Sequence, residues 1–101
     1  MTDSNVTLNS VGPVLQAGPI TTAVLAAIRK LNKNVTLQDR GSYIRVLVPM
    51  KCVVTRETIE EQLGQPFHFP GDLESIMPSF KGLFAISEAE AVWEFKAGAD
   101  K

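Results

Sequence analysis

Apolar positions change period along this chain, and each change marks an element. From Ile20 they fall at Ile20, Val24, Leu25, Ile28 and Leu31, the spacing of one helix face. Thr21 or Thr22 can cap its start and Asn32 or Asn34 can close it, with Arg29 and Lys30 placed where cations suit the helix dipole. The period then drops to two. Val35 and Leu37 alternate with polar neighbours, as do Ile44, Val46 and Val48, while Tyr43, Arg45 and Leu47 take the other face. Pro49-Met50-Lys51 reads as a turn and Cys52-Val53-Val54 as the return strand. Thr55 is a good N-cap for a second helix, whose stripe is Ile59 and Leu63 and whose stop is Gly64 followed by Pro66. Phe67 to Pro70 reads as an aromatic loop or short strand, and Gly71 to Ser79 as irregular chain anchored by Leu73, Ile76 and Met77. Phe80–Ile86 and Ala91–Phe95 form a closing hairpin around Glu88-Ala89-Glu90, with Ala91, Trp93 and Phe95 on one face. Val11 to Leu15 is a short extended segment, with Gly18-Pro19 as punctuation after it. The expected fold is α+β, a small single domain with two main helices packed on a mostly antiparallel sheet. Residues 11–96 make up that domain, between a mobile tail at 1–10 and a second tail at 97–101.

Composition narrows the function classes. At 101 residues and 45% hydrophobic content the chain can bury one core, but a deep private cavity would be costly. Net charge is −1 and the acids and bases read as interspersed, which leaves no footprint for nucleic acid or an anionic membrane. No apolar run approaches the roughly 18 residues of a membrane span. Met1 to Ser10 lacks a basic region followed by an apolar stretch, so no signal peptide is expected. The single cysteine, Cys52, cannot form an internal disulfide and fits a reducing cytoplasm.

Candidate chemistry is thin. His68 is the only histidine, and with a lone cysteine it falls short of the three or four ligands of a transition-metal site. Cys52 lies in an apolar strand and lacks the electropositive setting of a nucleophile. Glu57 and Glu61 share a helix face and read as a solvated surface, and Glu88 and Glu90 flank a turn. Gly12 and Gly18 do not make a phosphate loop. Catalytic residues, cofactor and metal are therefore all expected to be none. The residues alone lead to an α+β binding module. A small-ligand-binding regulatory domain, with a pocket between the second helix and the hairpin, is one alternative. An enzyme using His68 with Asp72 or Glu74 is another.

Several stretches in order resemble one family. They are Val11-Gly12-Pro13-Val14-Leu15-Gln16-Ala17-Gly18, Val35-Thr36-Leu37-Gln38-Asp39-Arg40 and Tyr43-Ile44-Arg45-Val46. They continue with the run from Thr55-Arg56-Glu57-Thr58 to Gln65-Pro66-Phe67, and with Ser79-Phe80-Lys81-Gly82. Together they look like the effector, or coupling, proteins of soluble multicomponent diiron monooxygenases, the MmoB/DmpM type. The Val-Gly-Pro stretch and the Thr-Arg-Glu-Thr helix start look closest to the toluene and alkene branch. Phe67-His68-Phe69-Pro70-Gly71, one residue longer than in the toluene type, and Pro78 depart from that pattern. The resemblance implies a cofactor-free, cytoplasmic protein, monomeric when free, that docks on the large subunit of a diiron hydroxylase. There it would tune access of substrate and dioxygen and the coupling of NADH oxidation to hydroxylation or epoxidation of an aromatic or alkene hydrocarbon. The docking residues it implies are in the loop before the last hairpin, Ser75, Met77, Pro78 and Ser79, with Ile76 and Phe80 read as core. Val11, Gly12 and Pro13 are a second candidate contact.

Overall fold

The computed structural model describes residues 9–96; of the expected tails at 1–10 and 97–101, all but Asn9 and Ser10 lie outside the described residues. Two antiparallel sheets and three helices enclose one core, an α+β arrangement. The first sheet joins β1 (Ser10–Gln16), β2 (Thr36–Asp39), β3 (Tyr43–Pro49) and β5 (Ser79–Lys81) in the order β2-β3-β1-β5. The second joins β4 (Lys51–Thr55), β6 (Leu83–Ile86) and β7 (Glu90–Glu94) in the order β4-β7-β6. The helices are α1 (Pro19–Leu31), α2 (Arg56–Leu63) and the single turn α3 (Gly71–Glu74).

The segment read only as extended proves to be an inner strand. β1 starts at Ser10, which is buried and not part of a tail, and pairs with β3 from Ser10 against Pro49 to Gln16 against Tyr43. That pairing is interrupted between Val11 and Val14, which accommodates the missing N–H of Pro13 inside a sheet. Gly12 holds φ 150, and a Cβ there would stand 2.4 Å from the Val46 carbonyl oxygen, so only glycine lets the two backbones approach this closely. The run Phe80–Ile86, expected as one strand, is divided at Gly82 (φ 106). Its first part pairs with β1 and its second with β7, so the chain crosses from one sheet to the other at a residue without a side chain.

The helices start and stop where the local chemistry places them. Gly18 caps α1 with Pro19 in its first turn, one turn earlier than a threonine cap would give. Thr21 instead turns inward, and its hydroxyl donates to the Gln16 carbonyl, fixing α1 to the end of β1. Asn32 closes α1 through its backbone N–H to Ile28. Its side chain donates to the carbonyls of Ile28 and Val53, and accepts from the Val53 N–H at 3.0 Å, tying the helix to β4. Thr55 caps α2, accepting from the Thr58 N–H, and Gly64 ends it in the left-handed conformation at φ 79.

The core gathers Val11, Leu15, Val24, Ile28, Val46, Val48, Cys52, Ile59, Phe67, Leu73 and Trp93. Trp93 is fully buried, and Phe84 stacks on it with ring centroids 5.2 Å apart. Among the described residues no helix is long and apolar enough to cross a membrane.

Candidate functional site

Alternation along β3 sends Val46 and Val48 into the core and Tyr43 and Arg45 to the opposite, exposed face, whereas Leu47, next in that alternation, is itself buried at 1%. Register carries that face across the sheet. Arg45 lies beside Gln38 of β2 and Val14 of β1, and Val14 lies beside Ser79 of β5. Tyr43 pairs with Gln16 one step along. At that end a shallow groove is lined by Val14, Gln16, Ser42, Tyr43 and Pro78. Its walls are fixed by backbone. The Gln16 N–H donates to the Ile76 carbonyl at 2.8 Å, and the Ala17 N–H to the Ser42 carbonyl at 3.0 Å. The loop that carries Pro78 and the turn that carries Ser42 are thus both held to β1. The end of this face that exposes Tyr43, Arg45, Pro78 and Ser79 is rigidly presented, and it is the best candidate surface among the described residues.

The structure sorts the expected contact residues. Ser75, Pro78 and Ser79 are exposed, and Pro78 and Ser79 adjoin the groove face. Met77 is only 8% exposed and belongs to the core, whereas Phe80, read as core, is 45% exposed at the sheet edge. β5 pairs with β1 through Phe80 against Pro13, which places Phe80 on an edge strand of the sheet, while Met77, in the loop before it, packs in the core cluster. Phe80 keeps one ring neighbour, Phe84, at 5.1 Å. Val11, Gly12 and Pro13 are buried within β1. In this conformation they offer no side chain to a partner, because β3 and β5 flank them and Val11 packs in the core. Tyr43 and Arg45 join the candidate surface only in the structure; their signal in the sequence is the polar phase of the β3 alternation.

Charge is also distributed differently from the interspersed reading. Between residues 9 and 54 the cations Arg29, Lys30, Lys33, Arg40, Arg45 and Lys51 face one acid, Asp39. From residue 55 to residue 96 the acids Glu57, Glu60, Glu61, Asp72, Glu74, Glu88, Glu90 and Glu94 outnumber Arg56, Lys81 and Lys96. The acids therefore concentrate on α2, α3, the β6–β7 turn and β7, and the sheet face around Arg45 carries no glutamate.

The remaining chemistry-bearing residues stay dispersed. His68 is 77% exposed in its side chain, with Nδ1 3.4 Å from Asp72 on the surface. The pair that an enzyme reading would need is brought together, but no described groove is lined by it. Cys52 is fully buried, and burial pushes its thiol up to about 12, so it is no nucleophile. The groove between the start of α2 and the β6–β7 turn is lined by Thr55, Arg56, Glu57, Glu60, Ala89 and Glu90, charged walls rather than the apolar ones a small-ligand domain would need. Among the described residues no cluster of His, Cys, Asp or Glu could hold a metal ion.

Comparison with known proteins places the chain in a family. A sequence model of the MmoB/DmpM family matches residues 9–94. The chain belongs to the MmoB/DmpM family. As an MmoB/DmpM protein it is 38% identical over 91 residues to the effector subunit of the alkene monooxygenase system of Xanthobacter autotrophicus, a match spanning 88% of this chain and 89% of that protein. Its fold is similar to a chain in the structure of a phenol hydroxylase–regulatory protein complex, at 21% identity and TM-score 0.76, over 86% of this chain and 98% of the other. It is also similar to the soluble methane monooxygenase regulatory protein B, at 22% identity and TM-score 0.66, over 92% of this chain and 70% of the other. The MmoB/DmpM relatives matched here are effector or regulatory proteins of monooxygenase systems and not catalytic subunits.

Proposed function

We propose that this MmoB/DmpM protein is the effector of a soluble diiron monooxygenase. It docks on the large subunit of the hydroxylase and tunes the access of substrate and dioxygen and the coupling of NADH oxidation to oxygenation of a hydrocarbon. The observation that carries this reading is the likeness, over 88% of the chain, to an alkene monooxygenase effector subunit. That relative makes alkenes the first substrates to test, ahead of aromatics. The physical task is differential binding. An effector that holds one hydroxylase conformation more tightly shifts the population towards it, and it needs a shaped surface rather than a catalytic side chain. The exposed face beside Ser75, Pro78 and Ser79 supplies such a surface, and the core behind it supplies rigidity. The protein works as a cytoplasmic monomer until it meets the hydroxylase, which agrees with a buried, unpaired thiol at Cys52. Reconstituted turnover with the hydroxylase and its reductase components tests the reading: product formation rises when the protein is added, and an unchanged rate with folded protein contradicts it.

A further inference from the structure

We propose that the face of the first sheet centred on Arg45 meets a carboxylate-bearing surface of the hydroxylase, while the acidic elements remain in solvent. The proposal rests on the effector reading and deepens it by naming where contact is made and the chemistry of the surface that receives it. Continuity comes first. Ser79, Val14 and Arg45 stand side by side across β5, β1 and β3, and the groove between Tyr43 and Pro78 adjoins them. The expected loop contact and the strand residues therefore form one surface, larger than the loop alone.

Pairing comes second. Arg45 is exposed and forms no ion pair among the described residues, whereas Lys30 is held by Glu61 at 3.4 Å and Arg56 lies 3.9 Å from Glu60. A guanidinium without an ion-pair partner among the described residues, beside a half-exposed tyrosine ring, has the composition of an interface anchor. Its planar fork matches a carboxylate in bidentate fashion, which a lysine ammonium does not. Charge distribution comes third. The acids lie on α2, α3, the β6–β7 turn and β7, where Lys30 and Arg56 offset some of them, whereas the strands of the first sheet carry one acid, Asp39. An acidic partner surface attracts the Arg45 face and repels the others, which orients the molecule before contact. The occupant is thus an acidic surface; a basic one would select the α2 side instead.

The test uses the intact chain and, as probe, the purified hydroxylase of the same monooxygenase system, titrated at low and high salt. Arg45→Glu is expected to weaken binding at low salt by about tenfold or more, and Glu88→Lys on the β6–β7 turn to change it by less than about twofold. The Arg45→Glu penalty shrinks at high salt, because an exposed charge pair is screened. Arg45→Ala, which removes the cation without adding an anion, is expected to move binding in the same direction by a smaller factor. Melting of each free variant checks that the fold persists. Binding by Arg45→Glu and Arg45→Ala equal to that of the wild type overturns the placement, and so does a larger loss for Glu88→Lys. The two readings fail separately: a wild-type protein that does not bind the hydroxylase sinks the effector reading, whereas wild-type binding with indifferent Arg45 variants sinks this one alone.

Discussion

Gly12→Ala should destabilise this protein strongly without touching any partner. Alanine places a Cβ 2.4 Å from the Val46 carbonyl oxygen and 3.0 Å from its carbon, both backbone atoms of the neighbouring strand. No rotamer change can relieve that overlap, so β1 and β3 must separate by roughly an ångström, given the ordinary C···O approach of about 3.3 Å or more. Overpacking of this kind costs about 1–3 kcal/mol. The positive φ of 150 costs a β-carbon-bearing residue about 1–2 kcal/mol more. A total near 2–5 kcal/mol is a large part of the roughly 5–15 kcal/mol that holds a domain of this size. Gly41→Ala is the matched control. Gly41 also has positive φ, at 87, but a Cβ there meets nothing within 4 Å, so about 1–2 kcal/mol is expected from backbone strain alone. Urea denaturation of both variants measures the difference. Gly12→Ala as stable as the wild type, or no worse than Gly41→Ala, would refute the close strand approach and reopen Gly12 as a surface residue.

Three further outcomes follow from the same structure. Asn32→Ala leaves the Val53 N–H and carbonyl of β4 without their side-chain partner and should cost about 1–3 kcal/mol in urea denaturation; Asn32→Asp should not rescue it, because a carboxylate cannot donate to the Val53 or Ile28 carbonyl. Cys52 ionises near 9.0 when unfolded and near 12 when folded, so its contribution is fully present below pH 9 and falls above it by up to about 1.4 kcal/mol per pH unit. The stability advantage of wild type over Cys52→Ala should shrink as pH rises past that point, and a constant difference would contradict the burial. Ser79→Tyr lies on an exposed edge strand, so the melting temperature of the free protein should hardly move while hydroxylase binding weakens through a clash present only in the complex; a large loss of thermal stability would instead place Ser79 in the core.

Local signals were the legible ones. Thr55, Gly64 and the Val24–Ile28 stripe act through neighbours a few residues away, so the sequence states them directly. β1 was underread because Gly12 and Pro13 argue against an inner strand, and only the backbone of β3 shows why both fit there. Gly82 hid a change of sheet inside an apparently continuous strand, since periodicity cannot say which partner a strand will find. Met77 and Phe80 exchanged places for the same reason: in chain without a period, burial is decided by tertiary placement. The surface around Arg45 was half visible. Alternation gave Tyr43 and Arg45 a common face, but its junction with Pro78 and Ser79 needed the β1 pairings on both sides.

The most direct test of the account is the coupling ratio, product formed per NADH consumed, measured while the protein is titrated against a fixed concentration of its hydroxylase and reductase components. The account predicts that the protein alone consumes no NADH, and that the ratio climbs and then saturates as the hydroxylase fills. A ratio that stays flat throughout the titration, with folded protein and active hydroxylase, would contradict it.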